Sequence, residues 1–201
     1  MSIVLTLDPM LEVHLPRPEG WRWVGEDEWR EELALMDVDL EKRVGVGLDS
    51  LTPPLCMMAK EPRGFRGAST TVVVDQQRTG GEDAPASSAE ALSMTLTFCA
   101  RAYDDFMSVT FPEAAALGGH PGRRARVLFS QPRKDGPPLL FDCVFHCVAV
   151  GDRLVQVCAA TAQGASRATW AELDDALATI RFRWVRLPAP AVGPGRERSR
   201  A

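Results

Sequence analysis

No stretch of about eighteen apolar residues, the minimum for a membrane-crossing helix, occurs in the 201 residues of this chain. The opening Met-Ser-Ile-Val-Leu-Thr-Leu-Asp-Pro-Met carries no basic residue, and Asp8-Pro9 cuts its apolar run short. No lipobox cysteine follows, so no secretory leader is expected. Positive charge is not in excess: the formal net charge is −4 and the sequence pI is near 5.5. Without a domain-wide positive field to neutralise phosphates, a nucleic-acid partner is not expected. The five cysteines are odd in number and lack framework spacing, which points to reduced, buried thiols in a cytoplasmic protein. No Walker loop, dinucleotide fingerprint, serine nucleophile elbow, HExxH pattern or internal repeat is present, so an enzyme is not expected.

What is there is ordinary globular composition, 45% hydrophobic and 25% charged, enough to bury a core without staples. Residues 1–186 read as a single domain. Residues 187–201 hold three prolines, two glycines and three arginines with no apolar period, and read as a disordered tail.

Alternating apolar residues predict strands on either side of Asp8-Pro9, and Trp29, Leu33 and Met36 predict a short helix. Residues 38–51 leave helix and strand both open. Strands are expected through Met58 and over 68–76, separated by a Gly- and Pro-rich loop. Ser87 and Glu90 form a capping-box pattern. The set Leu92, Leu96, Cys99, Tyr103 and Phe106 then marks one face of a helix of about five turns. Strands are expected near 108–117, 122–131, 139–150 and 153–162. Ser166 caps a last helix carrying Trp170, Leu173, Leu177 and Ile180. Hairpin connections with interspersed helices predict an α+β fold, an antiparallel sheet flanked by helices on both faces.

The segment 139–162 holds three cysteines and His146 on two β-prone runs around Gly151-Asp152, a hairpin signal. A zinc site there would need ligands converging at about 2.0–2.3 Å. Alternation puts Cys143 and Cys147 on one face but roughly 13 Å apart, with His146 on the other. The metal reading therefore fails, and no cofactor is expected. Mid-strand apolar surroundings likewise disfavour a cysteine nucleophile. The same alternation places Phe141, Cys143, Phe145 and Cys147 with Leu154, Cys158 and Ala160. Val144, His146, Val148, Val155 and Val157 take the opposite face. A sheet apolar on both faces needs cover on both.

His14 and His120 have no acid–base partner visible in sequence. Asp104-Asp105 and Asp174-Asp175 read as solvated helix faces, and Arg123, Arg124 and Arg126 as solvated strand positions. The loop Pro62-Arg63-Gly64-Phe65-Arg66-Gly67 sets an aromatic between two arginines, a pairing favoured at protein contacts. Arg63, Phe65 and Arg66 are the candidate partner-binding residues.

Leu15-Pro16 to Gly20-Trp21 resembles the opening of PsbP-like and LpqN-like (DcrB-type) domains. Gly118-Gly119-His120-Pro121-Gly122 resembles their GxPA turn, with Gly122 in place of Ala. A closing helix ending Ile180-Arg181-Phe182 resembles their terminal I-x-S-F, with Arg181 in place of Ser. The resemblance spans roughly residues 11–184 and implies an antiparallel sheet between helices, a PsbP-like α/β/α sandwich. Members are mostly non-catalytic and include photosystem subunits, a Ran-binding import factor, bacterial lipoproteins and chaperones of type VI secretion effectors. The implied function is a cytoplasmic protein-binding adaptor or chaperone linked to secretion, whose partner is a protein such as a secreted effector. The alternative is a small-molecule-binding protein or enzyme with a pocket between sheet and helix. The sequence leaves the oligomeric state open, a homodimer included.

Overall fold

The structure is a computed structural model that describes residues 2–8, 11–61, 63–64, 67–79 and 84–184. In chain order the elements are β1 (Ser2–Asp8), β2 (Leu11–Pro16), β3 (Trp21–Trp23), α1 (Glu26–Ala34), α2 (Leu40–Val44), a 3-10 turn at Leu48–Ser50, β4 (Cys56–Lys60) and β5 (Thr70–Arg78). There follow α3 (Ser88–Ala102), β6 (Asp104–Ser108), β7 (Glu113–Leu117), β8 (His120–Gln131), β9 (Leu139–Val150), β10 (Arg153–Ala162), α4 (Arg167–Ala178) and β11 (Arg181–Trp184). The expected disordered tail at 187–201 lies outside the described residues.

The central sheet runs β3-β4-β5-β10-β9-β8-β6, with β7 also on β8. Its pairings are antiparallel. The 139–162 hairpin forms as expected, Val150 opposite Arg153 across Gly151-Asp152. One sheet face carries Ala125, Val127, Cys143, Phe145, Cys147, Leu154 and Ala160, which pack on Ala91, Leu92 and Cys99 of α3. The other carries Val72, Val74, Val148, Val155 and Val157, covered by Leu173 and Leu177 of α4 and by Leu11, Val13 and Leu15 of β2. Each of these fully buried Leu or Val side chains contributes about 1.5–3 kcal/mol. The cover on this face is thus a helix plus a second sheet, ordered β1-β2-β11.

Local chemistry explains where the elements depart from expectation. Helix α3 is capped at Ser87, whose Oγ accepts from the Glu90 N–H at 3.2 Å, while the Glu90 carboxylate accepts from Ala86 N–H at 2.7 Å. It stops at Ala102, a turn before the apolar stripe ends. Tyr103 becomes extended, so that its ring stacks on Phe129 at 4.4 Å. Phe106 then reaches the same core from a strand. The expected strand 108–117 is two strands. Pro112 has no N–H to give a ladder, and Val109 and Thr110 both donate to the Arg126 carbonyl, closing a loop between β6 and β7. The stretch 38–51 resolves as helical turns, ending α2 at Gly45 with φ 73°. The closing segment 181–184 is not the end of a helix. Thr179 Oγ1 donates to Ala176 O at 2.7 Å and stops α4, and Phe182 then pairs with Val13.

Candidate functional site

Two surfaces and one buried histidine stand out. The first surface is a cleft of about 260 Å³ between α1 and the β3–β5 end of the sheet. Strand alternation aims Met57, Thr71 and Val73 at it, α1 supplies Trp29 and Leu33, and Leu139 and Phe141 of β9 close one end. No residue of α1 is fully buried. Ion pairs hold the helix in place. Arg22 Nη1 donates to Glu28 at 2.5 Å and Arg22 Nη2 to Glu61 at 2.9 Å. Glu32 receives Arg63 and also Arg133, the latter at 2.8 Å, and Arg133 Nε donates to Asp135 at 2.6 Å. Arg22 holds the Glu28 carboxyl below its usual range, and Arg133 does the same for Asp135.

The second surface is the β6 edge of the central sheet, the edge opposite β3. Strand β6 pairs only with β8 among the described strands, and a bulge at Asp105, φ 51°, interrupts its register. Met107 is 53% exposed, Val109 45% and Phe111 87%. Carboxylates nearby are engaged: Asp104 by Arg43 at 2.7 Å and Asp105 by the Ser130 hydroxyl at 2.8 Å. These acids sit on a strand, not on the solvated helix face expected for them.

His146, on the α4 face of β9, is buried, and its Nδ1 has no hydrogen-bond partner. Burial and Arg124 depress its pKa, and Asp174 pulls the other way. Of the β8 arginines expected to be solvated, Arg123 and Arg124 are exposed, and Arg124 and Arg126 carry ion pairs. Arg124 donates to Glu113 at 2.7 Å, and Arg126 grips the buried Asp142 carboxylate at 2.8 and 2.6 Å.

Of the three residues expected to bind a partner, Arg63 lies at the rim of the α1 cleft, tied to Glu32. Phe65 and Arg66 lie outside the described residues. The cysteines are free thiols, four of them buried and Cys158 half-buried. His120 meets the Phe182 ring edge-on at 5.5 Å. The exposure of Met107, Val109 and Phe111 escaped sequence reasoning, which reads 108–117 as one strand, whereas Val109 and Phe111 lie in the loop between β6 and β7. Pro112 was the signal that the ladder breaks there.

No protein-family profile matches this sequence, and no curated protein matches it at a significant level. Among solved structures, LpqN of Mycobacterium tuberculosis, involved in cell envelope biogenesis, superposes with a TM-score of 0.54 at 15% identity, over 91% of each chain. The chain has an LpqN-like fold. The expected α+β antiparallel architecture is therefore borne out by an independent structure. PA94 of Pseudomonas aeruginosa, a protein of unknown function, matches with TM-score 0.44 at 15% identity, over 71% of this chain and 88% of its own. The cyanobacterial PsbP of Synechocystis sp. PCC 6803 matches with TM-score 0.44 at 10% identity, over 84% and 85%. No described helix of the LpqN-like chain is long and apolar enough to cross a membrane.

Proposed function

We propose that this protein is a non-catalytic adaptor or chaperone that takes an extended apolar segment of a protein partner along β6. The observation that carries the reading is the apolar group at this edge: Met107, 53% exposed on the unpaired side of β6, and Phe111, 87% exposed in the loop that follows it. A free edge offers a row of backbone donors and acceptors, and strand addition uses them for affinity while side chains give specificity. Aromatic anchors dominate such contacts. Because Asp104 and Asp105 already have partners, the edge suits an apolar segment better than a basic one. The thiols are poor nucleophiles, pushed up by burial, which supports a binding role over a catalytic one.

The resemblance of the chain's motifs to a family that includes effector chaperones makes a secreted protein in the cytoplasm the partner class to test first. A photo-crosslinking residue at position 111 should yield one discrete adduct in the native cell, and the same residue at Glu31, on the far side of α1, should not. Phe111→Asp should abolish co-purification of that partner. If Phe65→Ala with Arg66→Ala abolishes it while Phe111→Asp does not, the contact belongs to the 62–67 loop and the edge reading fails.

A further inference from the structure

Helix α1 presents a contradiction that its surroundings explain. It carries Trp29 and Leu33 toward the sheet, yet none of its residues is fully buried. An amphipathic helix normally docks its apolar stripe directly. Here the stripe faces Met57, Val73, Leu139 and Phe141 across a space of about 260 Å³. Interiors are close-packed, with few voids larger than a water molecule. A gap of this size, apolar on both walls and fixed open by ion pairs, has the form of a ligand site.

We infer that this cleft binds an uncharged aliphatic chain of medium length, the hydrocarbon part of an alcohol or ester. Length follows from volume: at about 30 Å³ for each group the size of a water, the space takes roughly eight or nine groups. Absence of charge follows from the rim. Arg22, Glu28, Glu32 and Arg63 border the cleft, and each is already paired: Arg22 with Glu28 and Glu61, Glu32 with Arg63 and Arg133. The rim therefore offers no unpaired charge to a head group, and an ion entering the cleft would exchange water for walls formed by Met57, Val73, Leu139 and Phe141. Ser69, Thr71 and Gln131 on the lining supply neutral hydroxyl and amide groups for a single polar head. None of Met107, Val109 and Phe111 lines the cleft, so the site is separate from the proposed partner surface.

The test is calorimetric titration of the full-length protein with straight-chain alcohols from hexanol to dodecanol, alongside octanoate and octylammonium. One-to-one binding should strengthen about fourfold per methylene and level off near nine carbons, with both ions at least tenfold weaker than octanol. Met57→Ala should move the levelling point to longer chains, and Val73→Trp should abolish binding with an unchanged far-ultraviolet spectrum. Phe111→Asp should bind the alcohols as the native chain does. The inference is overturned by an absence of saturable binding, by octanoate matching octanol, or by an unmoved length optimum in Met57→Ala. That last variant decides the matter if Val73→Trp does not fold.

Discussion

The guanidinium of Arg126 sits 4.8 Å above the centre of the Trp170 ring. The same group holds both oxygens of Asp142, whose side chain is 6% exposed against 41% for Arg126. One arginine thus ties α4 to β8 and satisfies a buried carboxylate on β9. Arg126→Ala should cost about 2–3 kcal/mol in urea unfolding, below the range for fully buried pairs because the arginine is partly solvated. Replacing both partners by leucine should recover most of that loss, since no unpaired charge is then left behind.

His146 makes stability depend on pH. Its folded pKa lies below that of the unfolded chain, about 6.5. As pH falls through that value, the unfolded state takes up the proton first, so stability drops. Above it the group is neutral in both states and contributes no slope. Arg124 on β8 disfavours the proton and Asp174 on α4 favours it, but burial dominates. Urea midpoints should decline from pH 7 to pH 5 in the native chain and decline less in His146→Gln. Parallel pH profiles for the two proteins would count against this account.

The thiols should be slow to alkylate. Burial pushes Cys147 up to about 11 and Cys56 and Cys99 up to about 12. Cys143 rises too, by burial and by its contact with Cys158. At pH 8 the folded protein should react with iodoacetamide at least tenfold more slowly than the same protein in urea. A thiol that reacts as fast folded as unfolded would mark a site where the core opens.

Gly122, where the resembling family has alanine, should not tolerate that residue. A Cβ there would fall 2.1 Å from the Cys147 carbonyl oxygen and 2.7 Å from Val148 Cγ1. Strands β8 and β9 would have to part, at a cost of about 1–3 kcal/mol or more. Gly136→Ala, with nothing within 4 Å, is the matched control and should change the unfolding midpoint little.

Elements with a strong period and chemically marked ends were legible from residues alone. The 139–162 hairpin, the Ser87 and Ser166 caps and the two-faced apolar sheet are of this kind. Places where a tertiary partner decides were not. Tyr103 leaves its helix because Phe129 is there to stack on, and no local pattern announces a residue so distant in sequence. Strand β11 exists only because β2 offers a free edge. The candidate surfaces were harder still. The cleft depends on the stand-off of α1, set by Arg22 and Glu32 reaching across the fold. The exposure of Phe111 depends on the chain leaving the ladder between β6 and β7, where Val109 and Thr110 both turn onto the Arg126 carbonyl.

His14 of β2 pairs with Arg181 of β11, so the small sheet joins the two ends of the described chain. Such a pairing closes one of the longest loops the polypeptide can make, and loop closure is what slows folding. During synthesis β2 keeps one edge unpaired until β11 emerges. The protein is then most vulnerable to sticking to its neighbours in the interval just before β11 docks. Truncation before Arg181 should prolong that interval indefinitely, turning a transient exposure into permanent insolubility.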